Sequence, residues 1–271
     1  MLESEAKIDF NPLRLCADLA SYGNTATFYH SGDLGDIVFS LPTIRALGGG
    51  VLVLGPEMST PIKARSLIRA VAFHNLAPLI AQQSYISKVV FSELMPQDVR
   101  FDLNAWRVPY FGLRGHLPAE DRRTIARAHL ATFGADRSHE NRQWLEVDRP
   151  QWAADVICSR NLRCPNPKFP WPKILSAYRG RTAFIGTEKE HSEFSREFGE
   201  IPYVQTRSLL DVARVIAASR LFVGNQSCPY AIAEGLKVRA IQEVYPDHPC
   251  CQFERPDVQL VWDDQVELPD F

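Results

Sequence analysis

Six consecutive residues, Ser31-Gly32-Asp33-Leu34-Gly35-Asp36, bring two carboxylates and two glycines together. A carboxylate at the edge of a ligand site can take the proton of a hydroxyl that is about to attack. The glycines let the backbone come close to a ligand, and N–H groups at a helix start favour negative groups. A second cluster is Asn225-Gln226-Ser227, after the apolar Leu221-Phe222-Val223 and before Pro229-Tyr230. A strand, an amide-rich turn and a helix with Pro in its first turn make an anion site from backbone N–H groups and the helix dipole. Asn225, Gln226 and Ser227 add side-chain hydrogen bonds there. Basic Arg160, Arg163 and Lys168 suit a diphosphate. The turn Gly186–His191 carries acids suited to a ribose hydroxyl.

Each cluster also has a plainer reading. Asp36 is a good cap for a helix starting at Ile37. Ser227 reads as an ordinary cap, and acids in a first helical turn answer the helix dipole. Trp171 reads as a packing residue. The arginines Arg107, Arg114, Arg122, Arg123, Arg127, Arg137 and Arg142 either face an acidic acceptor or form a solvated face paired with Glu120 and Asp121.

The elements around these clusters alternate. Thr25–His30 is a β-prone run, and from Ile37 to Leu47 apolar residues recur at helical spacing. Gly48-Gly49-Gly50 stops that helix, and Val51–Leu54 reads as a buried strand. Residues 62–83 carry helical patterning, broken or bent near Pro78. Lys88–Phe91 and Val99–Leu103 are strand candidates, and Pro118–Phe133 a helix. Proline is dense from Pro150 to Pro172, after which the pattern restarts. Strands are expected at Asp155–Cys158, Thr182–Ile185, Tyr203–Gln205, Leu221–Val223 and Ala240–Val244. Helices are expected at Pro172–Tyr178, Lys189–Phe198, Leu209–Ser219 behind a Ser208 cap, and Pro229–Leu236. This implies two α/β domains, residues 1–150 and 151–271.

The bulk numbers agree with that class. A chain of 271 residues suits two domains of roughly 120–150 residues, and 45% apolar content can build real cores. The net charge of −2 excludes a global basic field for nucleic acid. No apolar run approaches the ~20 residues of a membrane span, and the acidic start does not read as a signal peptide. Six cysteines without Cys-x-x-Cys spacing read as reduced thiols, so the expected address is the cytoplasm. His248-Pro249-Cys250-Cys251 lacks the second ligand pair of a closed zinc site, so no metal is expected. The dinucleotide fingerprint, a P-loop and a Tyr-x-x-x-Lys pair are all missing, which leaves an epimerase a distant option.

Taken together, these residues resemble the heptosyltransferase-type glycosyltransferases, typified by ADP-heptose:lipopolysaccharide heptosyltransferases. Leu34-Gly35-Asp36-Ile37-Val38-Phe39-Ser40-Leu41-Pro42 is similar to that family's opening Gly-Asp motif, and Ser208 to Gln242 to its donor-nucleotide segment. The resemblance implies an α/β architecture of two Rossmann-like domains facing a cleft (GT-B-like). The N-terminal domain would bind the acceptor and present Asp36 as the catalytic base, in a loop of Ser31, Gly32, Asp33 and Gly35. The C-terminal domain would bind a nucleotide-diphospho-sugar through Arg160, Arg163, Lys168, Glu190, Asn225, Gln226, Ser227 and Tyr230, with Glu190 at the nucleoside. The donor is the implied partner substrate, without a further cofactor. The acceptor is a glycan hydroxyl, or alternatively a protein or nucleic acid. The chain departs from the pattern where the family has Asp-Thr/Ser-Gly at the donor turn and a His three residues on. Here the turn reads Asn225-Gln226-Ser227, with Tyr230 at the later position, and Lys168 is displaced by one from a Lys-x-Trp-Pro element. A nucleotide-sugar-binding protein without catalysis is the rival reading.

Overall fold

The computed structural model describes residues 5–11, 13–62, 67–248 and 250–271. The chain divides into two compact units, Met1–Glu146 and Val147–Phe271.

The first unit is built on a five-stranded parallel sheet. Its strands are β1 (Ile8–Asp9), β2 (Thr27–His30), β3 (Gly50–Leu54), β4 (Ile86–Phe91) and β5 (Phe101–Asp102), in the order β1-β4-β3-β2-β5. β2 and β3 are buried along their whole length, as strands with helices on both faces should be. Helices α1 (Leu34–Ala46) and α2 (Ala70–Ala81) make the crossovers, and α3 (Arg107–Tyr110) and α4 (Ile125–Thr132) follow β5. Because every pairing is parallel, the loops leaving β2 and β5 emerge on one edge, with Tyr29 paired to Asp102.

Local sequence shifted several of these boundaries. α1 begins at Leu34, not at Ile37, with Asp33 at the cap position. Among the described residues of the patterned 62–83 stretch, Ala70–Ala81 is helical, and Pro78 lies inside that helix without ending it. Positions 63–66 of the stretch lie outside the described residues. The expected helix over 118–133 is two pieces. A 3-10 turn at Ala119–Arg122 precedes α4, because Thr124 adopts an extended backbone and its hydroxyl caps the Arg127 N–H. Asp121, buried in that turn, is gripped by Arg137 through two hydrogen bonds of 2.5 and 2.6 Å.

The second unit repeats the plan. It comprises β6 (Val156–Ser159), α5 (Trp171–Ala177), β7 (Thr182–Phe184), α6 (Glu188–Phe198), α7 (Leu209–Ala217), β8 (Leu221–Asn225), α8 (Cys228–Leu236), β9 (Ala240–Glu243) and β10 (Val258–Val261). The sheet is parallel in the order β10-β9-β8-β6-β7. Tyr203–Gln205 contributes a single bridge, Tyr203 to Phe184, instead of a strand. One face packs Trp171, Phe184, Phe194, Val223 and Ile241 into a continuous core. Register places Ser159 opposite Gly224, and Asn225 opposite Glu243, so the residues that follow these strands share one edge. Among the described residues no helix is long and apolar enough to cross a membrane.

Candidate functional site

Two groups of side chains deserve description, one at the carboxyl edge of each sheet, where α/β folds place their ligands.

In the first unit the chain leaves β2 at His30, turns through Gly32 with φ of 112° and enters α1. That positive φ favours glycine. Asp33 occupies the cap position without a side-chain capping bond, so Asp36 falls in the first turn, where the dipole favours an anion. Asp36 therefore does not cap the helix. Its Oδ2 accepts a hydrogen bond of 2.7 Å from Arg107, which stands at the start of α3. The Arg107 side chain is 3% exposed and that of Asp36 is 16% exposed. Arg107 also donates to Asn104 Oδ1 at 3.1 Å. The same Asn104 oxygen accepts from the Ser31 N–H and the Ser31 hydroxyl, each at 3.2 Å. Asn104 Nδ2 in turn donates to Asp102 Oδ1 at 3.0 Å. Gly35 lies within the first turn of α1, beside Asp36.

Beneath this network lie two imidazoles, His30 and His129, with ring centroids 5.6 Å apart. Trp106 packs 5.1 Å from the His129 ring. Burial, and after it the charge of Arg107, holds His30 well below the usual imidazole range. Burial, His30 and Arg107 do the same to His129. Both are neutral, so neither adds its charge to that of Arg107.

In the second unit the sequence clusters meet, but most of their polar atoms face one another. Asn225 is fully buried. Its Oδ1 accepts from the Asn161 N–H at 3.0 Å, and its Nδ2 donates to the carbonyls of Asn161 at 2.9 Å and Cys164 at 3.1 Å. Gln226 donates to the His248 carbonyl at 2.9 Å and accepts from the Tyr245 N–H at 3.1 Å. Ser227 holds the cap position of α8, yet its hydroxyl donates back to the Asn225 carbonyl at 3.1 Å. Tyr230 is buried between Phe222 and Phe253, with its hydroxyl unpartnered. Its side chain belongs to the core and does not reach the turn's surface, because the first turn of α8 points it inward.

Arg160 is likewise committed. Its Nε donates to Glu243 at 3.1 Å, its Nη1 to Glu197 at 2.8 Å, and its guanidinium lies 5.1 Å from the Phe198 ring centroid. Glu243 is fully buried and also accepts from the Asn166 N–H at 2.7 Å and Trp171 Nε1 at 3.2 Å. Burial raises its carboxyl above the usual range, against the opposing pull of Arg160. Arg163 and Lys168 are exposed on the same loop. Glu190 closes a capping box with Thr187: its Oε2 accepts from the Thr187 N–H at 2.8 Å, and its own N–H donates to Thr187 Oγ1 at 3.2 Å. Glu190 also lines a cavity of about 340 Å³ with Arg160, Asn161, Pro165, Phe194 and Glu197.

The fold that carries these sites, two parallel five-stranded sheets with helices on their faces, is that of GT-B glycosyltransferases. The chain is similar to the family 9 glycosyltransferase of Veillonella parvula DSM 2008, at 11% identity and a TM-score of 0.53 over 82% of this chain and 80% of that one. It is similar to the Escherichia coli ADP-heptose lipopolysaccharide heptosyltransferase II at 13% identity and a TM-score of 0.54, over 88% and 90% of the two chains. A third likeness is to the iron-containing dodecameric glycosyltransferase TibC of enterotoxigenic E. coli H10407, at 16% identity and a TM-score of 0.51, over 86% of this chain and 63% of that one. No protein-family model and no curated protein matches the sequence.

Sequence reasoning missed Asn104, Asp102 and Glu243, and grouped Arg107 with exposed arginines. The dipeptide Asp102-Leu103 at a strand end, followed by Asn104, was the available signal. Within the arginine group, Arg107 pairs with Asp36, Arg127 with Glu140, and Arg137 with Asp121.

Proposed function

We propose that this protein is a glycosyltransferase, moving a sugar from a nucleotide-diphospho-sugar to an acceptor hydroxyl with inversion. The observation that carries the reading is the Asp36 carboxylate, accessible in the first turn of α1 and fixed by a buried arginine, on a GT-B fold. Asp36 takes the acceptor proton as the acceptor oxygen attacks the anomeric carbon, and the nucleoside diphosphate leaves. The second unit binds the donor. The N-terminus of α8 and the exposed Arg163 and Lys168 favour the leaving diphosphate. The cavity beside Glu190 favours the nucleoside. The mechanism needs neither a metal nor a further cofactor, because these groups carry the developing charge. A glycan hydroxyl is the preferred acceptor, ahead of a protein or nucleic acid.

A thermal-shift screen against nucleotides and nucleotide-sugars tests donor binding, and a true donor at 100 times its Kd stabilises by about 2.7 kcal/mol. Asp36→Asn is expected to retain that shift and to lose transfer by ~10²–10⁴-fold. Near-normal turnover in Asp36→Asn overturns the base assignment. A second reading is donor binding without transfer. It is favoured by Asn225, Gln226 and Arg160, whose polar atoms are bonded within the protein. Sugar release from any donor in the screen excludes it.

A further inference from the structure

Arg107 is a guanidinium in an interior position, and a charge there is tolerated only when it is paired and hydrogen-bonded. Its charge meets Asp36 Oδ2 at 2.7 Å. A second bond, to Asn104 Oδ1 at 3.1 Å, ties it to a side chain that is itself fully buried. Asn104 cannot swing away. Its oxygen receives the Ser31 N–H and hydroxyl, and its amide nitrogen and backbone N–H both donate to Asp102 Oδ1 at 3.0 Å. A line of four side chains therefore runs from the end of β5 to the accessible carboxylate on α1. Every step of it is 2.7 to 3.1 Å long.

The surroundings make the arginine's charge effective. Among the described residues, Asp36 on α1 bonds to it, and His30 on β2 and His129 on α4 lie within reach of its charge, while Asp102 at the end of β5 stands behind Asn104. Both imidazoles are neutral, so neither competes with the guanidinium for the carboxylate. The Trp106 ring lies 5.1 Å from the guanidinium carbon and shields it from water. In such a setting the attraction between the two charges is larger than at a wet surface.

We propose that Arg107 is the positioning residue of this site: it holds the Asp36 carboxylate ionised and in one orientation, and Asn104 and Asp102 hold Arg107. This rests on the reading of Asp36 as the base, and it names a group that bears on that base's strength. A carboxylate bonded to a fixed guanidinium keeps one orientation, which is what proton transfer from a bound hydroxyl needs. The tie also lowers its basicity, so the same contact that aims Asp36 limits how hard it pulls.

The test titrates Asp36 in the free protein by carboxyl ¹³C NMR, with Asp36→Asn identifying its resonance. Arg107→Met is expected to raise the Asp36 midpoint by about 1–3 pH units. Arg107→Lys restores most of the difference, and Asn104→Ala moves the midpoint in the same direction by less. A midpoint unchanged in Arg107→Met overturns the proposal. If that variant does not fold, a midpoint unchanged in Asn104→Ala overturns it. With a donor in hand, Arg107→Met is expected to lower kcat with the donor KM unchanged, and its pH–rate profile moves with the NMR midpoint. The two readings fail separately: transfer surviving in Asp36→Asn removes the base and leaves the midpoints, whereas static midpoints remove the positioning and leave the base.

Discussion

Asn225 offers a sharp separation between a ligand contact and an internal brace. Its side chain makes three hydrogen bonds, at 2.9, 3.0 and 3.1 Å, and all of them go to the backbone of the loop after β6. Each bond is worth about 1 kcal/mol net, so Asn225→Ala costs at least ~3 kcal/mol. The Asn161 N–H and the carbonyls of Asn161 and Cys164 would also lose their partners in a place water reaches poorly. That raises the expected loss toward ~5 kcal/mol. For a urea slope of about 2 kcal/mol/M the midpoint falls by ~1.5–2.5 M. The assay is urea unfolding read by pulsed hydrogen exchange, with peptides from β6 and β8 reporting the second unit. Asn225→Asp keeps the acceptor for Asn161 but aims a negative oxygen at two carbonyls, so it recovers little stability. A variant with the wild-type urea midpoint and weakened nucleotide binding would refute the brace and make Asn225 a ligand residue.

Two other expectations follow from buried groups in each unit. His30 and His129 are held neutral, with folded values well below the 6.5 of an ordinary imidazole. The unfolded chain therefore binds more protons below pH 6.5, so stability is full above that pH and is lost as the pH falls from it toward the folded values. The slope approaches about 1.4 kcal/mol per pH unit for each histidine. Urea midpoints of first-unit peptides between pH 7 and 5 check this, and His129→Leu should shallow the slope. Tyr230→Phe removes a buried hydroxyl that has no partner. Its urea midpoint and nucleotide affinity should equal or exceed those of the wild type, and a loss of binding would show that the hydroxyl meets the ligand.

The α/β plan was legible because its signals are local. Wholly apolar runs such as Val51–Leu54 and Leu221–Val223, short and bounded by turn residues, fit buried strands, and the observed β3 and β8 contain them. Ser208 with Asp211 marked the start of α7, and its hydroxyl does cap the Asp211 N–H. What escaped had weak local signals. β10 (Val258–Val261) lies at a sheet edge with only Val261 buried, so polar residues interrupt its pattern. Thr124 split the helix expected over 118–133, since a threonine that caps cannot also continue a helix. Pro78 and Pro42 were tolerated inside helices, where the surrounding packing outweighs a lost bond.

The site was legible in residue type and illegible in partnership. Asp is equally suited to capping a helix and to accepting a substrate proton, so Asp36 alone could not separate those readings. The capping reading falls because α1 begins at Leu34, which moves the cap to Asp33. Arg107 lies 71 residues away in sequence, and nothing near it distinguishes it from the exposed arginines that follow. The second unit shows the converse. Asn225, Gln226 and Arg160 have the types a diphosphate site wants, but buried amides and guanidiniums must be satisfied before any ligand arrives. Their partners are the carbonyls, N–H groups and carboxylates of their own loops. On the proposed reading, donor affinity in this unit comes from what those braces hold in place, namely the start of α8 and the exposed Arg163 and Lys168. Substitution of Lys168 should weaken nucleotide binding without moving the urea midpoint, whereas substitution of Asn225 should do the reverse.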